Sequence, residues 1–132
     1  MTERELIERS WATAVRITDL TGDGIPEVIT QGPSTDCRPT GNCPFRVFAK
    51  TLTGYAPILR CIAQTFSLEG RAGSKSLDIV VGMHGSATER TFWVYRLSGG
   101  TYREIDCWDA VWPEKEDGTT AKEPVMKRCT AR

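Results

Sequence analysis

The chain has 132 residues, 39% apolar, 26% charged and 8% aromatic, which excludes collagenous, disordered and membrane-spanning classes and fits one globular domain. A chain of this length removes roughly two thirds of its unfolded surface from water, so its core needs no metal or oligomer to create it. Seventeen Lys and Arg balance seventeen Asp and Glu, leaving no bulk field for a nucleic acid, and no apolar run reaches the roughly 18 to 20 residues that insert across a membrane.

At the N-terminus, Thr2 followed by Glu5 has the capping-box spacing, and Leu6, Ile7, Trp11, Ala14 and Val15 recur on one helical face. A short amphipathic helix is expected over residues 1–15. From about Arg16 the period changes to runs of Val, Ile, Phe and Tyr separated by Gly, Pro, Asn, Asp and Ser, the pattern of short antiparallel strands. Seven strands are expected, near 14–19, 26–31, 44–51, 55–67, 77–83, 91–97 and 101–108, the fourth long enough to bend or bulge. Two hairpins, FRVFAKTLTGYAPIL from Phe45 and FWVYRLSGGTYREI from Phe92, match in order, each preceded by an acidic residue, a β-branched run and a glycine. The chain therefore divides into a helix (1–15), a first β repeat (16–67), a second (68–112) and an irregular tail (113–132). Repeats of this length resemble propeller blades, but two cannot close a ring. The fold class is mainly β: antiparallel sheets built from two propeller-blade-like repeats, packed face to face.

Five cysteines make an unusual load for a reduced compartment, and none forms the CxxC pair of a zinc or redox site. Cys37 and Cys43 flank a loop with Pro and Gly that can double back within bridging distance. A bridge from Cys107 to Cys129 would hold the aperiodic tail to the domain. Cys61, in the apolar run ILRCIA, is expected to be a free, buried thiol. Two bridges imply export to an oxidising space, secreted or periplasmic. The opening MTERELIERS has neither the basic nor the apolar segment of an export signal, which suggests a mature form with an added start methionine; a cytosolic chain with reduced thiols is the alternative.

The sharpest motif is ITDLTGDGIPEVI, in which Asp19, Thr21 and Asp23 alternate, Gly24 follows and Glu27 comes four after Asp23. A hard cation wants six to eight oxygens, and alternate side chains on a coiled loop converge on one point. Asp19, Thr21, Asp23, the carbonyl of Ile25 and Glu27 fall at positions 1, 3, 5, 7 and 9 of a calcium loop. Thr30 stands where an EF-hand has its bidentate glutamate, and strands replace the flanking helices. Calcium is thus the candidate cofactor. The competing reading is a tight turn in which aspartates bond their own backbone. The segment DLTGDGIPEVI resembles the strand-loop-strand element of FG-GAP and VCBS repeats, found in integrin-alpha-type propellers and secreted bacterial proteins. GNCPFRVFAKT and DIVVGMHGSATERTFWVYRLSGGTYREI are similar to small exported bacterial proteins. The resemblance covers residues 12–108 and implies a calcium-binding loop and a fold, not a reaction.

Other residues invite chemistry. His84, the single histidine, lies in GMHGSATE with Ser86 and Glu89 close by. A hydrolase would use His84 as base with Ser86 or Glu89, although G-x-S-x-G is absent. The bland reading is a loop-fixing hydrogen-bonder. Trp108 and Trp112 in CWDAVW would grip a sugar or protein partner if exposed, and would fill a core if buried. The turn from Ser98 to Tyr102 fits the S-G-x-x-Y pattern of bacterial lysozyme inhibitors, and equally an ordinary hairpin turn. The leading functional expectation is a noncatalytic exported β domain with a binding or structural role and an unknown protein or carbohydrate ligand. The alternatives are the hydrolase and the lysozyme-inhibitor-like binder.

Overall fold

The computed structural model describes Thr2, Arg4, Glu5 and residues 14–129, without the side chains of Ala14, Val15 and Ser34. Nine strands form among the described residues: β1 (Ala14–Thr18), β2 (Glu27–Gln31), β3 (Cys43–Thr51), β4 (Gly54–Ala63), β5 (Thr65–Glu69), β6 (Asp78–Ser86), β7 (Glu89–Ser98), β8 (Thr101–Val111) and β9 (Val125–Arg128). They make two antiparallel sheets in chain order, β1-β2-β3-β4 and β5-β6-β7-β8-β9. Within each sheet every strand pairs with its neighbour in sequence; tight turns join β3 to β4, β6 to β7 and β7 to β8, and longer loops make the other connections.

Most of the expected helix over 1–15, residues 6–13 included, lies outside the described residues, so it is unsupported. Of that range, Arg4 and Glu5 are helical, whereas Ala14 and Val15 belong to β1, paired with Gln31 and Thr30. Thr2 and Glu5 do exchange the two capping-box bonds, Thr2 N to Glu5 Oε2 at 3.0 Å and Glu5 N to Thr2 Oγ1 at 3.1 Å. Blade-like repeats do not follow from two meander sheets alone.

The strand expected over 55–67 is two strands, parted at Gln64, where the chain leaves one sheet for the other. Gln64 N donates to the Gly82 carbonyl of the second sheet (2.7 Å), while the Gln31 side-chain amide donates to the carbonyls of Ala63 and Gln64, both at 2.9 Å. Those bonds satisfy a backbone that changes ladders within one residue. The expected bulge is present too: Val47 faces Leu59 but Phe48 faces Pro57, so Ile58 is the extra residue. The bulge and the edge position of β4 accommodate Pro57. The tail, expected to be irregular, contributes β9, whose Val125–Arg128 pair with Val111–Trp108.

The core lies between the sheets. Ile29, Phe45, Val47, Leu59 and Ala63 from the first meet Ile79, Val81 and Tyr102 from the second, with Leu20 inserted from the β1–β2 loop. Phe45 and Phe66 join across the layers, ring centroids 5.1 Å apart and tilted 54°. Alternation along β3 sends Phe45 and Val47 inward and Phe48 to the outer face, beside Val28 and Tyr55. Gly82 in β6 is a packing requirement, since a Cβ there would stand 2.6 Å from Thr65 Oγ1 and 3.1 Å from the Phe92 ring.

Cys37 is bridged to Cys43 and Cys107 to Cys129, as expected, while Cys61 carries a free thiol that is half-buried, not fully buried. The bridges fit an oxidising compartment. No described helix is long and apolar enough to cross a membrane.

Candidate cation loop

The loop from Asp19 to Pro26 joins β1 to β2, and Glu27 opens β2 directly opposite Thr18. Leu20 is wholly buried and Glu27 is 2% exposed, whereas Asp23, Gly24 and Ile25 face solvent. The apolar anchor thus pulls the loop's start into the core, and the polar tip folds back over Glu27.

Asp19 organises the tip. Its Oδ1 accepts from the amides of Gly22 (2.9 Å) and Thr21 (3.2 Å), and its Oδ2 accepts from the amide of Gly24 (2.9 Å). Asp23 Oδ1 accepts from Ile25 N (2.9 Å), and the Thr21 hydroxyl accepts from Asp23 N (3.4 Å). Glu27 Oε1 takes the amides of Leu20 (2.7 Å) and Thr21 (3.2 Å). The bonds of a tight aspartate turn are therefore all present.

The same fold brings one carboxylate oxygen each from Asp19, Asp23 and Glu27 within 4.8 Å of one another. Among the described residues, Glu27 Oε2 and Asp23 Oδ2 receive no protein hydrogen bond. The donor set is all hard oxygen with spare lone pairs, so it could hold a metal cation. The Gly24 and Gly22 amides hold the Asp19 carboxyl below its ordinary range. Burial pushes Glu27 upward against the amides of Leu20 and Thr21, and the charges of Asp23 and Asp19 push it further. Thr21 is tied to Asp19 and Asp23, and Ile25 has a half-exposed side chain.

His84 is not in a loop: it lies in β6, opposite Arg90. Its backbone amide donates to Asn42 Oδ1 and its carbonyl accepts from Asn42 Nδ2, both at 2.9 Å. Ser86 and Glu89 pair across the β6–β7 turn, and Ser86 Oγ accepts from Thr88 N. Among the described residues the imidazole makes no hydrogen bond to either side chain, the contact that joins a base to its nucleophile.

Trp108 is half-buried on β8. Its indole N–H donates to Asp106 Oδ2 (3.1 Å), and the Arg128 guanidinium lies 5.0 Å from its ring centroid. Trp112 is half-buried, its amide donating to the Thr88 carbonyl. Ser98 and Thr101 close the β7–β8 turn over Gly99 and Gly100, both at positive φ. Tyr102 is a core residue, 6% exposed, with its hydroxyl donating to the Leu77 carbonyl at 2.8 Å.

Sequence reasoning missed the charged group beside this loop. Asp78, 4% exposed, receives Arg96 Nη2 and Nε on its two oxygens (2.8 and 3.1 Å) and Arg71 Nε at 3.2 Å. No local motif marks it: Arg71 is seven residues away across a turn and Arg96 eighteen, on the next strand of the sheet. No family model matches the chain, and neither does any curated protein or solved structure.

Proposed function

We propose that the protein is a noncatalytic, exported β domain whose β1–β2 loop takes a calcium ion, and that its role is binding or structural. The observation that carries this reading is the convergence of Asp19, Asp23 and Glu27 within 4.8 Å, with Glu27 buried and raised in proton affinity. Three carboxylates held together repel one another until a divalent ion neutralises them. Calcium supplies charge neutralisation here and no reaction. Asp19, Asp23 and Glu27 hold the ion, with the Thr21 hydroxyl and the Ile25 carbonyl as further oxygens. The four-stranded and five-stranded meanders then stand as two blade-like units of the FG-GAP and VCBS type, and a protein or carbohydrate would be the ligand. The two bridges support export.

Calorimetric titration of the protein with calcium, combined with thermal unfolding, tests the reading. A cation that binds only the folded loop raises the melting temperature by mass action. Asp23→Ala is expected to abolish that rise and keep the fold, since Asp23 is exposed and outside the core. Absence of both heat and shift at millimolar calcium would reduce the loop to a turn held by its own aspartates.

A further inference from the structure

Cys107 and Cys129 join β8 to the residue just past β9, and Cys129 N also donates to the Cys107 carbonyl at 3.0 Å. We propose that this bridge is a redox latch: a dithiol reductant opens it, β9 leaves the sheet, and the remainder of the domain stays folded. The proposal is independent of the cation loop.

The first support is what β9 does not bury. All its side chains are exposed, Val125 at 60% and Met126 at 49%, so little apolar area holds the strand in place. Its side-chain ties to β8, from Arg128 to Trp108 and Asp106, are made from a side chain 69% exposed to water. The segment before it bonds to itself: Lys115 N to Thr119 O, Gly118 N to Lys115 O and Ala121 N to Pro113 O. Those bonds travel with the tail when it moves. The inter-sheet core, in turn, takes no buried residue from beyond Tyr102. The segment thus belongs to the low-stability end of the fold, where local opening occurs without global unfolding.

The second support is the contrast with Cys37–Cys43. That loop is pinned by Asn42 to both backbone groups of His84, by Arg38 N to Asn42 O, by Gly41 N to Arg38 O, and by Gln64 Nε2 to Thr40 O. Cys43 is itself the first residue of β3 and faces Ala63. Breaking its bridge leaves these ties in place. Breaking Cys107–Cys129 removes the covalent tie across 22 residues and restores the loop entropy of the tail.

The chemistry balances simply. The S–S bond breaks, two electrons and two protons come from the dithiol, both cysteines end as thiols, and the reductant leaves as a disulfide. What appears is the stretch of the β8 edge that β9 covers, Trp108–Val111, with unpaired amides and carbonyls and with Cys107 and Ala110, now buried, at its margin.

Hydrogen exchange read by mass spectrometry tests the latch on the full chain, oxidised and after dithiothreitol with the thiols alkylated. Amides in 107–111 and 125–129 should exchange at least about tenfold faster after reduction, while β6 and β7 keep their protection. Trypsin should then cut after Lys115, Lys122 and Lys127. The double variant Cys107→Ala/Cys129→Ala should reproduce the release without reductant, and Cys37→Ala/Cys43→Ala should leave the tail protected. If the first variant does not fold, the reduced and alkylated native chain decides. Unchanged exchange at β8 and β9, equal loss across β6 and β7, or the same release in Cys37→Ala/Cys43→Ala would each overturn the proposal.

Discussion

The amide of Leu77 donates to the carbonyl of Leu20 at 2.8 Å, tying the acidic loop of the first sheet to the segment that enters the second. Leu20 also sends its side chain into the core and its own amide to Glu27. One residue therefore joins the carboxylate cluster, the core and the opposite sheet.

Leu20→Ala is expected to destabilise the domain by about 2–5 kcal/mol, the range for deleting a fully buried leucine side chain. Urea unfolding measures it. A loss below about 0.5 kcal/mol, the usual limit for surface substitutions, would show that Leu20 is no anchor.

Gly22 has φ +84°, and a Cβ there would lie 2.6 Å from Lys75 Cβ and 2.7 Å from the Lys75 carbonyl. Gly22→Ala combines an unfavourable backbone with a clash, and about 1 kcal/mol is the least it should cost. Lys75→Gly in the same chain should not restore stability, because the φ and the carbonyl contact remain. Full rescue by Lys75→Gly would contradict this account.

Asp78 supplies the pH dependence. The hydrogen bond from Arg96 holds its carboxyl below the ordinary range; burial opposes the shift, and the charges of Arg96 and Arg71 deepen it. A folded-state value below the unfolded one stabilises the fold above about pH 4 and loses that contribution as pH falls through the lowered value. Asp78→Asn should cost about 1–3 kcal/mol at pH 7. The low end is expected, because the arginine side chains are 36% and 37% exposed and water screens them. The gap between wild type and variant should shrink below pH 4, and a gap that stays constant in urea titrations down to pH 2 would sink the assignment.

What was legible in the sequence follows physical lines. The spacing of Asp19, Asp23 and Glu27 is local, so their convergence could be read directly, and so could the strands that alternate β-branched and polar residues. The break at Gln64 was hidden because ILRCIAQTF runs on without Gly or Pro to mark a boundary. The strand VMKR was hidden for the opposite reason: it is exposed throughout and shows no alternation. Asn42 and Asp78 were invisible because their partners, His84 and Arg96, are brought close only by the fold.

Cys61 should resist alkylation in the native protein. Burial pushes its thiol up to about 12, against a hydrogen bond with Tyr95 that lowers it, so almost no thiolate exists near neutral pH. Iodoacetamide at pH 8 should label it only after denaturation, as mass spectrometry would report. Rapid labelling of the folded chain would mean that the thiol is both open and ionised.

The meander order has a kinetic meaning. Each ladder closes a short stretch of chain, from β1 with β2 through β7 with β8, and the tail makes the longest closure. Loop entropy is therefore lost in small steps, and the two sheets can zip independently as hairpins grow. The slow event left is the meeting of two half-built apolar faces, which makes the single-residue hinge at Gln64 the place where folding of one half becomes information for the other.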